Sequence, residues 1–367
     1  MKICIIYNTA PRYRESIFRL LDTNYDCDWF FGITKTDIKE MDTSLLKNVS
    51  YYKTYGNCSK ICWKTGNIKL LFKSEYKKYL ILAESHAVSD YIFLLFKYIF
   101  FPSKKVYIWT HGMYGKESFF EKKMKLIQFH CADGIFVYND YSRNLMIDAG
   151  IKGEKIYVIH NSLHYEQQKM LRERIVPSNV YKVHFRNDSP TIIFIGRLTK
   201  VKQLDMLLNA VNVLKLSGVF YNVVFIGDGE ARCELELLVS RLGLSDCVWF
   251  YGACYDEKEN SELVYNADLC VAPGNVGLTA MHAMVFGTPV ISHNDFSHQM
   301  PEFEAIEKGK TGTFFERGDY ISLANAIKSW FAENEEKRGL VRKKCYEKID
   351  NEWNPNFQLN VLKNIFR

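Results

Sequence analysis

The stretch that most constrains the fold of this chain lies at residues 268 to 291. A short apolar run, Leu269–Ala272, predicts a buried strand, and Pro273-Gly274-Asn275 after it is typical of a turn. From Gly277 apolar residues recur at helical spacing until Gly287-Thr288-Pro289 interrupts them, and another apolar run follows. Strand, tight turn, helix and strand predict a parallel α/β unit, whose helix start can bind an anion such as phosphate. A turn with a purely structural role fits the same pattern.

Short apolar runs alternate with helical patterns along the whole chain, which predicts parallel sheets covered on both faces. Because 367 residues exceed one typical core, two domains are expected. We place an N-terminal domain at 1–175, a C-terminal domain at 190–350, and a helical segment at 351–367 that returns to the N-terminal domain. Strands are expected at 3–7, 29–31, 79–83, 106–109, 135–138, 156–159, 191–195, 223–226, 248–251, 269–272, 289–292 and 312–315. Helices of the N-terminal half are expected at 14–22, 68–78, 87–100, 117–130 and 140–149.

The composition predicts a folded cytoplasmic protein, with 47% hydrophobic residues. The first residues form a short apolar run without the cleavage site of a signal peptide, and no run reaches the roughly 18 apolar residues of a membrane span. Ten cysteines are scattered along the chain, several within apolar runs, as expected of reduced thiols. Cys58 and Cys62 are the only close pair, and no second Cys or His pair follows at zinc-site spacing, so no metal site is expected.

Positive charge is concentrated in the N-terminal half. Residues 1–175 contain 27 Lys+Arg against 18 Asp+Glu, whereas the remainder contains 21 against 24. Between 60 and 78 lysines alternate with aromatic residues, and the apolar stretch 91–105 follows; the lysines are Lys60, Lys64, Lys69, Lys73, Lys77 and Lys78. This pattern predicts peripheral association with the inner membrane surface. A solvated lysine face beside a buried helix fits the pattern too. No nucleic-acid recognition module is visible, so no nucleic-acid partner is expected.

A second informative stretch lies upstream of the first, at residues 191–208. A predicted strand ends at Gly196, Arg197 follows it, and Lys202 lies where the next helix begins. An arginine and a lysine at a strand-to-helix turn can bind a diphosphate, one through its planar guanidinium and the other as a mobile point charge. The alternative is a pair of solvated surface cations.

The order of these motifs resembles a known family. Gly196-Arg197-Leu198 with Lys202 is followed by Gly227-Asp228-Gly229-Glu230, Tyr251-Gly252, Ala267-Asp268-Leu269 and the stretch 277–290. Over residues 191–330 this order resembles the retaining family 4 glycosyltransferases of the GT-B fold; the N-terminal half contributes residues 109–112 and 137–162. The resemblance implies two Rossmann-like domains with parallel sheets facing a central cleft. It also implies an enzyme of the hexosyltransferase type, which moves a sugar from a UDP- or GDP-sugar to a saccharide acceptor in polysaccharide biosynthesis. We expect this acceptor to be lipid-linked.

The resemblance assigns roles by position. Arg197 and Lys202 would bind the donor diphosphate and His111 would approach the donor sugar and the acceptor, so these three are the candidate catalytic residues. The resemblance further implies that no metal is essential. The candidate donor-binding residues are Gly196, Gly252, Tyr255, Asn275, Val276, Gly277, Leu278 and His282.

The chain departs from the family pattern in its donor site. The family usually has two glutamates separated by seven residues, and the corresponding positions here are Gly274 and His282. Gly274 has no side chain to offer, whereas His282 can still exchange a hydrogen bond with a hydroxyl. The usual N-terminal glycine pair is replaced by a loop with Arg12 and Arg14, which together with His293 are weaker candidates for contact with the acceptor or a phosphate. Two alternatives stay open: a nucleotide-sugar-binding protein without catalysis, and a nucleotide-sugar epimerase on the same architecture.

Overall fold

The chain divides between His164 and Tyr165 and crosses back at Asn354. The structure, a computed structural model, describes residues 2–33, 39–57 and 60–366, with only the backbone of Asn57 and Glu335. The first unit comprises the residues up to His164 together with those from Asn354 onward, and the second comprises Tyr165–Trp353. Each unit alternates strands with helices around a mainly parallel sheet, which confirms the predicted α/β class. Cys58, half of the cysteine pair noted above, lies outside the described residues.

The sheet of the first unit has eight strands in the order β4-β3-β2-β1-β5-β6-β7-β8. Every neighbouring pair is parallel except β3 and β4. Its central strands are buried on both faces, which is why they are continuous apolar runs in the sequence. The strands are β1 (Lys2–Tyr7), β2 (Asp26–Ile33), β3 (Asn48–Asn57), β4 (Ile61–Lys64), β5 (Tyr76–Leu82), β6 (Lys105–Trp109), β7 (Gly134–Val137) and β8 (Ile156–Val158).

Helices cover both faces of this sheet. They are α1 (Glu15–Asn24), α2 (Asn67–Leu70), α3 (Val88–Phe100), α4 (Phe119–Cys131) and α5 (Asp140–Asp148). Phe18 of α1 packs into the core of one face, with Trp29 and Trp109. Phe93 of α3 and Phe129 of α4 pack into the core of the other face.

The helix predicted at 68–78, in the region with alternating lysines, is wrong. Helix α2 ends at Leu70, and strand β5 begins at Tyr76. Tyr76 is buried, and its hydroxyl donates to Asp28 Oδ2 at 2.5 Å. The spacing of lysines and aromatic residues imitates a helical face, but pairing with β1 and burial of Tyr76 favour a strand. The sequence did not predict strands β3 and β4, because neither contains a long continuous apolar run.

The sheet of the second unit is entirely parallel, in the order β11-β10-β9-β12-β13-β14. The chain runs outward from β9 through β10 to β11 and then returns to the other side of β9 as β12. The carboxyl ends of β9 and β12 therefore form a topological switch point, where ligands of open parallel sheets bind. The strands are β9 (Thr191–Ile195), β10 (Asn222–Ile226), β11 (Val248–Gly252), β12 (Leu269–Ala272), β13 (Val290–His293) and β14 (Gly312–Phe315).

The second unit begins at Tyr165, whereas the sequence placed the domain boundary between 175 and 190. Arg172 forms two hydrogen bonds with the Asp350 carboxylate, at 3.0 and 2.9 Å, so its helix packs within the second unit. The helices are α6 (Tyr165–Arg174), α7 (Val180–Phe185), α8 (Leu204–Leu216), α9 (Arg232–Arg241), α10 (Glu257–Asn266), α11 (Thr279–Met284), α12 (Tyr320–Asn334) and α13 (Arg338–Asn351).

The last helix, α14 (Pro355–Ile365), belongs to the first unit. The Asn354 side chain caps its start by accepting from the Phe357 amide at 2.9 Å. The buried Gln358 accepts from Ser162 Oγ at 2.6 Å and donates to the His160 carbonyl oxygen at 2.8 Å. These bonds fix the helix against the segment that ends the first unit's main body.

Candidate functional site

The loop that follows β9 is held close to the end of β10. The Gly196 amide donates to the Ile226 carbonyl oxygen at 2.9 Å, and a Cβ on Gly227 would lie 1.9 Å from the Gly196 carbonyl oxygen. Only a glycine at 227 allows this approach of the two backbones. The approach directs the chain outward, so Arg197 is exposed. Arg197 forms no ion pair with any described residue, and its guanidinium is available to an anion.

Lys202 is placed against the turn that follows β12. Its Nζ donates to the Asn275 carbonyl oxygen at 2.8 Å and to Asn275 Oδ1 at 2.7 Å. A Cβ on Gly277 would lie 3.5 Å from the same Nζ. Burial lowers the pKa of Lys202 to about 8, while the Glu302 carboxylate opposes this shift and Arg197 adds to it. The two candidate diphosphate-binding cations therefore lie close enough to repel each other.

Gly274 is the point where the two loops touch through their backbones. Its amide donates to the Lys202 carbonyl oxygen at 2.9 Å. A Cβ at this position would lie 2.1 Å from the Val201 carbonyl oxygen and 2.8 Å from Lys202 Cα. The position at which the family usually has a glutamate therefore has no room for any side chain. The departure in the sequence matches a loop packing that excludes that glutamate.

A buried glutamine that the sequence analysis missed holds the turn from the other side. Gln299 Oε1 accepts from the Val276 amide at 2.9 Å, and its Nε2 donates to Ser292 Oγ at 2.8 Å and to the His293 carbonyl oxygen at 3.1 Å. The Val276 amide, expected to face the donor, is thus engaged within the protein. The sequence carried no signal for this role, because a polar residue in a loop is ordinarily solvated.

The amides of Gly277 and Leu278 donate to no group in the part of the chain that the structure describes. They precede α11, which spans only the six residues Thr279–Met284 and is shorter than the sequence pattern indicates. Thr279 Oγ1 donates to the Ile195 carbonyl oxygen at 2.8 Å, which ties the start of α11 to the end of β9. The structure thus brings Gly196, Arg197, Lys202 and the turn at 275–278 to one switch point.

The remaining donor-site candidates lie around this point. Gly252 ends β11, two strands from β9, and its carbonyl oxygen accepts from the Gly227 amide at 2.8 Å. Tyr255 follows it and is exposed. His282 is half-buried on α11.

His293 does not supply a cation to the site. It is buried at the end of β13, and its Nδ1 accepts from the Asp295 amide at 3.2 Å. Burial lowers its pKa to about 4, with a smaller contribution from Arg317, so the ring is neutral near pH 7. Its role is to shape the turn after β13. Nearby, Asp295 pairs with His298 and Arg317, and no cluster among the described residues is arranged to hold a metal ion.

The N-terminal candidates lie in the first unit. Arg14 and His111 line one pocket of about 390 Å³ there, at the carboxyl ends of β1, β5 and β6. Burial, with smaller contributions from Arg14 and Lys125, lowers the pKa of His111 to about 4, so His111 is a neutral hydrogen-bonding group near pH 7. Arg12 does not line this pocket; it is half-buried, and its amide donates to the Lys39 carbonyl oxygen at 2.8 Å.

Comparisons with known proteins agree with this architecture. Residues 178–347 match the family model described as "Glycosyl transferases group 1". This match spans a little under half of the chain and assigns its second unit to this group of glycosyltransferases. The fold of the chain is that of the Anabaena protein Alr3699/HepE, solved in complex with UDP, with a TM-score of 0.76 over the whole of both chains and 17% identity. At that identity the likeness concerns the fold alone.

Two sequence relatives of this chain are bacterial proteins. An "uncharacterized 41.2 kDa protein in cps region" of Klebsiella pneumoniae is 27% identical over 301 residues, which cover 79% of this chain and 72% of that protein. A "putative colanic acid biosynthesis glycosyltransferase", WcaL of Escherichia coli K12, is 26% identical over 172 residues, 44% of this chain and 41% of the relative.

Substitution of Gly274 tests the packing of the two loops. We expect Gly274→Ala to lower the free energy of unfolding by about 1–3 kcal/mol, because the new methyl group overlaps the Val201 carbonyl oxygen. Gly274→Glu should be at least as harmful and should not improve nucleotide binding. Urea denaturation and calorimetric titration with UDP measure both effects. The control is Gly339→Ala in α13, where a Cβ meets nothing within 4 Å. Gly274→Ala as stable as that control would contradict the packing.

Proposed function

We propose that this glycosyltransferase transfers a sugar from a UDP- or GDP-sugar to a saccharide acceptor, with retention at the anomeric carbon, in the assembly of a bacterial surface polysaccharide. The observation that supports it most is the pair Arg197 and Lys202 at the switch point, beside the open amides of Gly277 and Leu278. The relatives from the cps region and the colanic acid system support the polysaccharide setting. The UDP complex of the structural neighbour supports a nucleotide donor.

The donor diphosphate would bind between the two cations and the turn at 275–278. The exposed Arg197 guanidinium reaches one phosphate, and Lys202 Nζ exchanges an Asn275 oxygen for a phosphate oxygen. Because Lys202 is desolvated, a phosphate restores the charge interaction that burial removed. Two cations balance the charge of the diphosphate, so we also propose that transfer needs no metal ion.

The transfer step follows from this charge arrangement. The bond between the anomeric carbon and the diphosphate oxygen breaks, and the electron pair leaves with the diphosphate. Arg197 and Lys202 stabilise the negative charge that develops there. The acceptor hydroxyl oxygen bonds to the anomeric carbon on the same face, and its proton passes to the departing diphosphate oxygen. His111, neutral at this pH, would hydrogen-bond a sugar hydroxyl, which needs no charged imidazole.

A panel of UDP- and GDP-sugars, with and without saccharide acceptors and with released nucleotide as readout, tests the function. We expect acceptor-dependent nucleotide release from one donor, retained configuration in the product, and unchanged rates in EDTA. Absence of nucleotide binding would indicate a protein with another role. Formation of an epimerised nucleotide sugar in the absence of acceptor would show that the enzyme is an epimerase and not a transferase.

The role of the two cations is testable by substitution. We expect Arg197→Ala and Lys202→Ala each to weaken UDP binding by about 10- to 100-fold, since each removes a charged hydrogen-bond donor to phosphate. Turnover should fall at least as much. Lys200→Ala in the same loop is the control, because Lys200 is exposed and pairs with Glu234. Unchanged turnover in the first two variants would refute the site assignment.

The depressed pKa of Lys202 predicts a pH dependence of nucleotide affinity. Below about pH 8 Lys202 is charged and binds the diphosphate; above it the free protein loses that charge. The affinity for UDP should therefore fall as the pH rises through 8, approaching about tenfold per pH unit. Titrations from pH 6.5 to 9.5 measure this slope. Lys202→Arg keeps its charge throughout, so its profile should be flat; equal slopes for both proteins would contradict the role of Lys202.

We further propose that the enzyme works in the cytoplasm at the membrane surface, on a lipid-linked acceptor. Helices α2 and α3 pack against each other, and the ring of Phe72, just after α2, contacts that of Phe101. Exposed residues of these neighbouring segments include Phe72, Phe96 and Phe100 as well as Lys69 and Lys73; we call this set the aromatic face. Positive charge beside exposed aromatic rings matches anionic headgroups and the acyl boundary beneath them. None of the helices in the described ranges has the length and apolarity needed to cross a bilayer.

Two of the six lysines expected on this surface do not belong to it. Lys64 is buried, 2.7 Å from Asp90 Oδ2 and 2.9 Å from Glu84 Oε2. Lys78 is also buried, and this burial lowers its pKa. The remaining four, Lys60, Lys69, Lys73 and Lys77, are exposed.

Vesicle co-sedimentation tests the aromatic face. The protein should bind vesicles with phosphatidylglycerol more tightly than pure phosphatidylcholine, and salt should weaken binding. Lys69→Glu with Lys73→Glu should reduce binding by at least about 25-fold, from about 1 kcal/mol per lost lysine. Phe96→Ser with Phe100→Ser should reduce it on both lipids, whereas the control Leu216→Ser, an exposed apolar residue of the second unit, should not. Binding insensitive to lipid charge and salt would refute the face.

A further inference from the structure

The pocket that Arg14 and His111 line in the first unit contains several buried polar atoms without a hydrogen bond. Five buried side-chain nitrogen or oxygen atoms in the described wall of this pocket form no hydrogen bond: Arg14 Nε, Arg14 Nη1, Tyr7 Oη, His111 Nδ1 and Glu84 Oε2. Of these, Glu84 Oε2 still pairs with Lys64 Nζ at 2.9 Å. Because native proteins satisfy more than about 90% of buried polar groups, this clustering indicates a ligand site.

Arg14 is the charged member of this group. Its side chain is 3% exposed, and its guanidinium carbon lies 4.7 Å from the Trp109 ring centroid and 5.2 Å from that of Tyr138. Its Nη2 donates to the Tyr138 hydroxyl. Aromatic rings attract a cation, but they carry no net charge. No carboxylate of the described residues lies in ion-pair distance, so the charge of Arg14 is buried and uncompensated.

The carboxylates in the pocket wall are already paired with other groups. Glu84 lies 2.9 Å from Lys64 Nζ and accepts from Asn8 at 3.1 Å. Glu121 lies 3.3 Å from Lys125 Nζ, which also pairs with Glu117 at 2.9 Å. The lysine of the wall thus pairs with two carboxylates, and among the described arginines and lysines of the wall Arg14 alone has no carboxylate partner.

We propose that this pocket binds an acidic sugar of the acceptor through its carboxylate, with Arg14 as the counter-ion. The proposal rests on the proposed function, which places a saccharide acceptor in the reaction. A volume of about 390 Å³ accommodates one sugar ring with part of the next, and Tyr13 and Tyr114 lie in its wall. One uncompensated cation matches the single charge of a hexuronic acid. A phosphate monoester or a lipid diphosphate brings two or more charges, and the described part of the wall offers no second arginine or lysine without a carboxylate partner.

Binding of simple glycosides to the full chain tests this inference without depending on turnover. Saturation-transfer NMR titrations compare methyl β-glucuronide, methyl β-glucoside and glucose 6-phosphate, and a UDP titration is run on the same samples. We expect the glucuronide to bind at least about tenfold more tightly than the glucoside, as a hydrogen-bonded charge pair would give. Glucose 6-phosphate should bind more weakly than the glucuronide.

Variants assign that preference to one residue. Arg14→Met should reduce glucuronide binding to the level of the glucoside and leave UDP affinity unchanged, while Arg14→Lys should retain part of the preference. Arg19→Met, an exposed arginine on α1 that pairs with Glu15, is the matched control and should keep the full preference. Should Arg14→Met fail to fold, the ratio of glucuronide to glucoside affinity in the wild type and in Arg14→Lys still tests the inference.

The outcomes separate this inference from the proposed function. Equal binding of glucuronide and glucoside, or tighter binding of glucose 6-phosphate, overturns the acidic-sugar inference even if UDP binds as expected. Selective glucuronide binding that Arg14→Met removes supports the inference even in a sample that binds no nucleotide, which would refute the proposed function alone.

Discussion

The candidate donor site depends on the direct backbone contact between the loop after β9 and the turn after β12. The hydrogen bond from the Gly274 amide to the Lys202 carbonyl oxygen brings the two loops within contact distance, and a side chain at 274 would separate them. With the loops in contact, Lys202 Nζ reaches the Asn275 oxygens and is desolvated there. The absence of a side chain at one position thus determines where the ammonium group lies and how acidic it is. Gln299 fixes the same turn from its other side.

Both candidate binding regions share an electrostatic feature: each has a cation that pairs with no carboxylate of the residues that the structure describes. In the second unit Arg197 is exposed and Lys202 is held by neutral oxygens, although that part of the chain has an excess of acidic residues. In the first unit Arg14 is surrounded by aromatic rings, while the nearby carboxylates pair with lysines. A buried charge without a partner is costly in a folded protein. Ligand anions that supply the missing charge would therefore gain more than they would at an ordinary surface cation.

The sequence predicted the parts of the structure that depend on local patterns. Apolar runs located most buried strands, because parallel strands covered on both faces cannot be polar. Motif order located Arg197, Lys202 and the turn at 275–278. What the sequence could not predict depends on contacts between distant segments. Lys64 has the appearance of a surface lysine until Asp90 and Glu84 are brought beside it. The role of Gln299 depends on its contact with Ser292 of β13, and that of Gly274 depends on its contact with the loop after β9. Neither contact can be predicted from the local sequence.

The most direct test of this account is a crystal structure of the chain with UDP. The account predicts that the diphosphate lies at the carboxyl ends of β9 and β12, with phosphate oxygens within hydrogen-bonding distance of the Arg197 guanidinium and of Lys202 Nζ. Lys202 Nζ would then have exchanged at least one Asn275 oxygen for phosphate. A diphosphate bound elsewhere, or one bound at this edge without contact to either cation, would contradict the account.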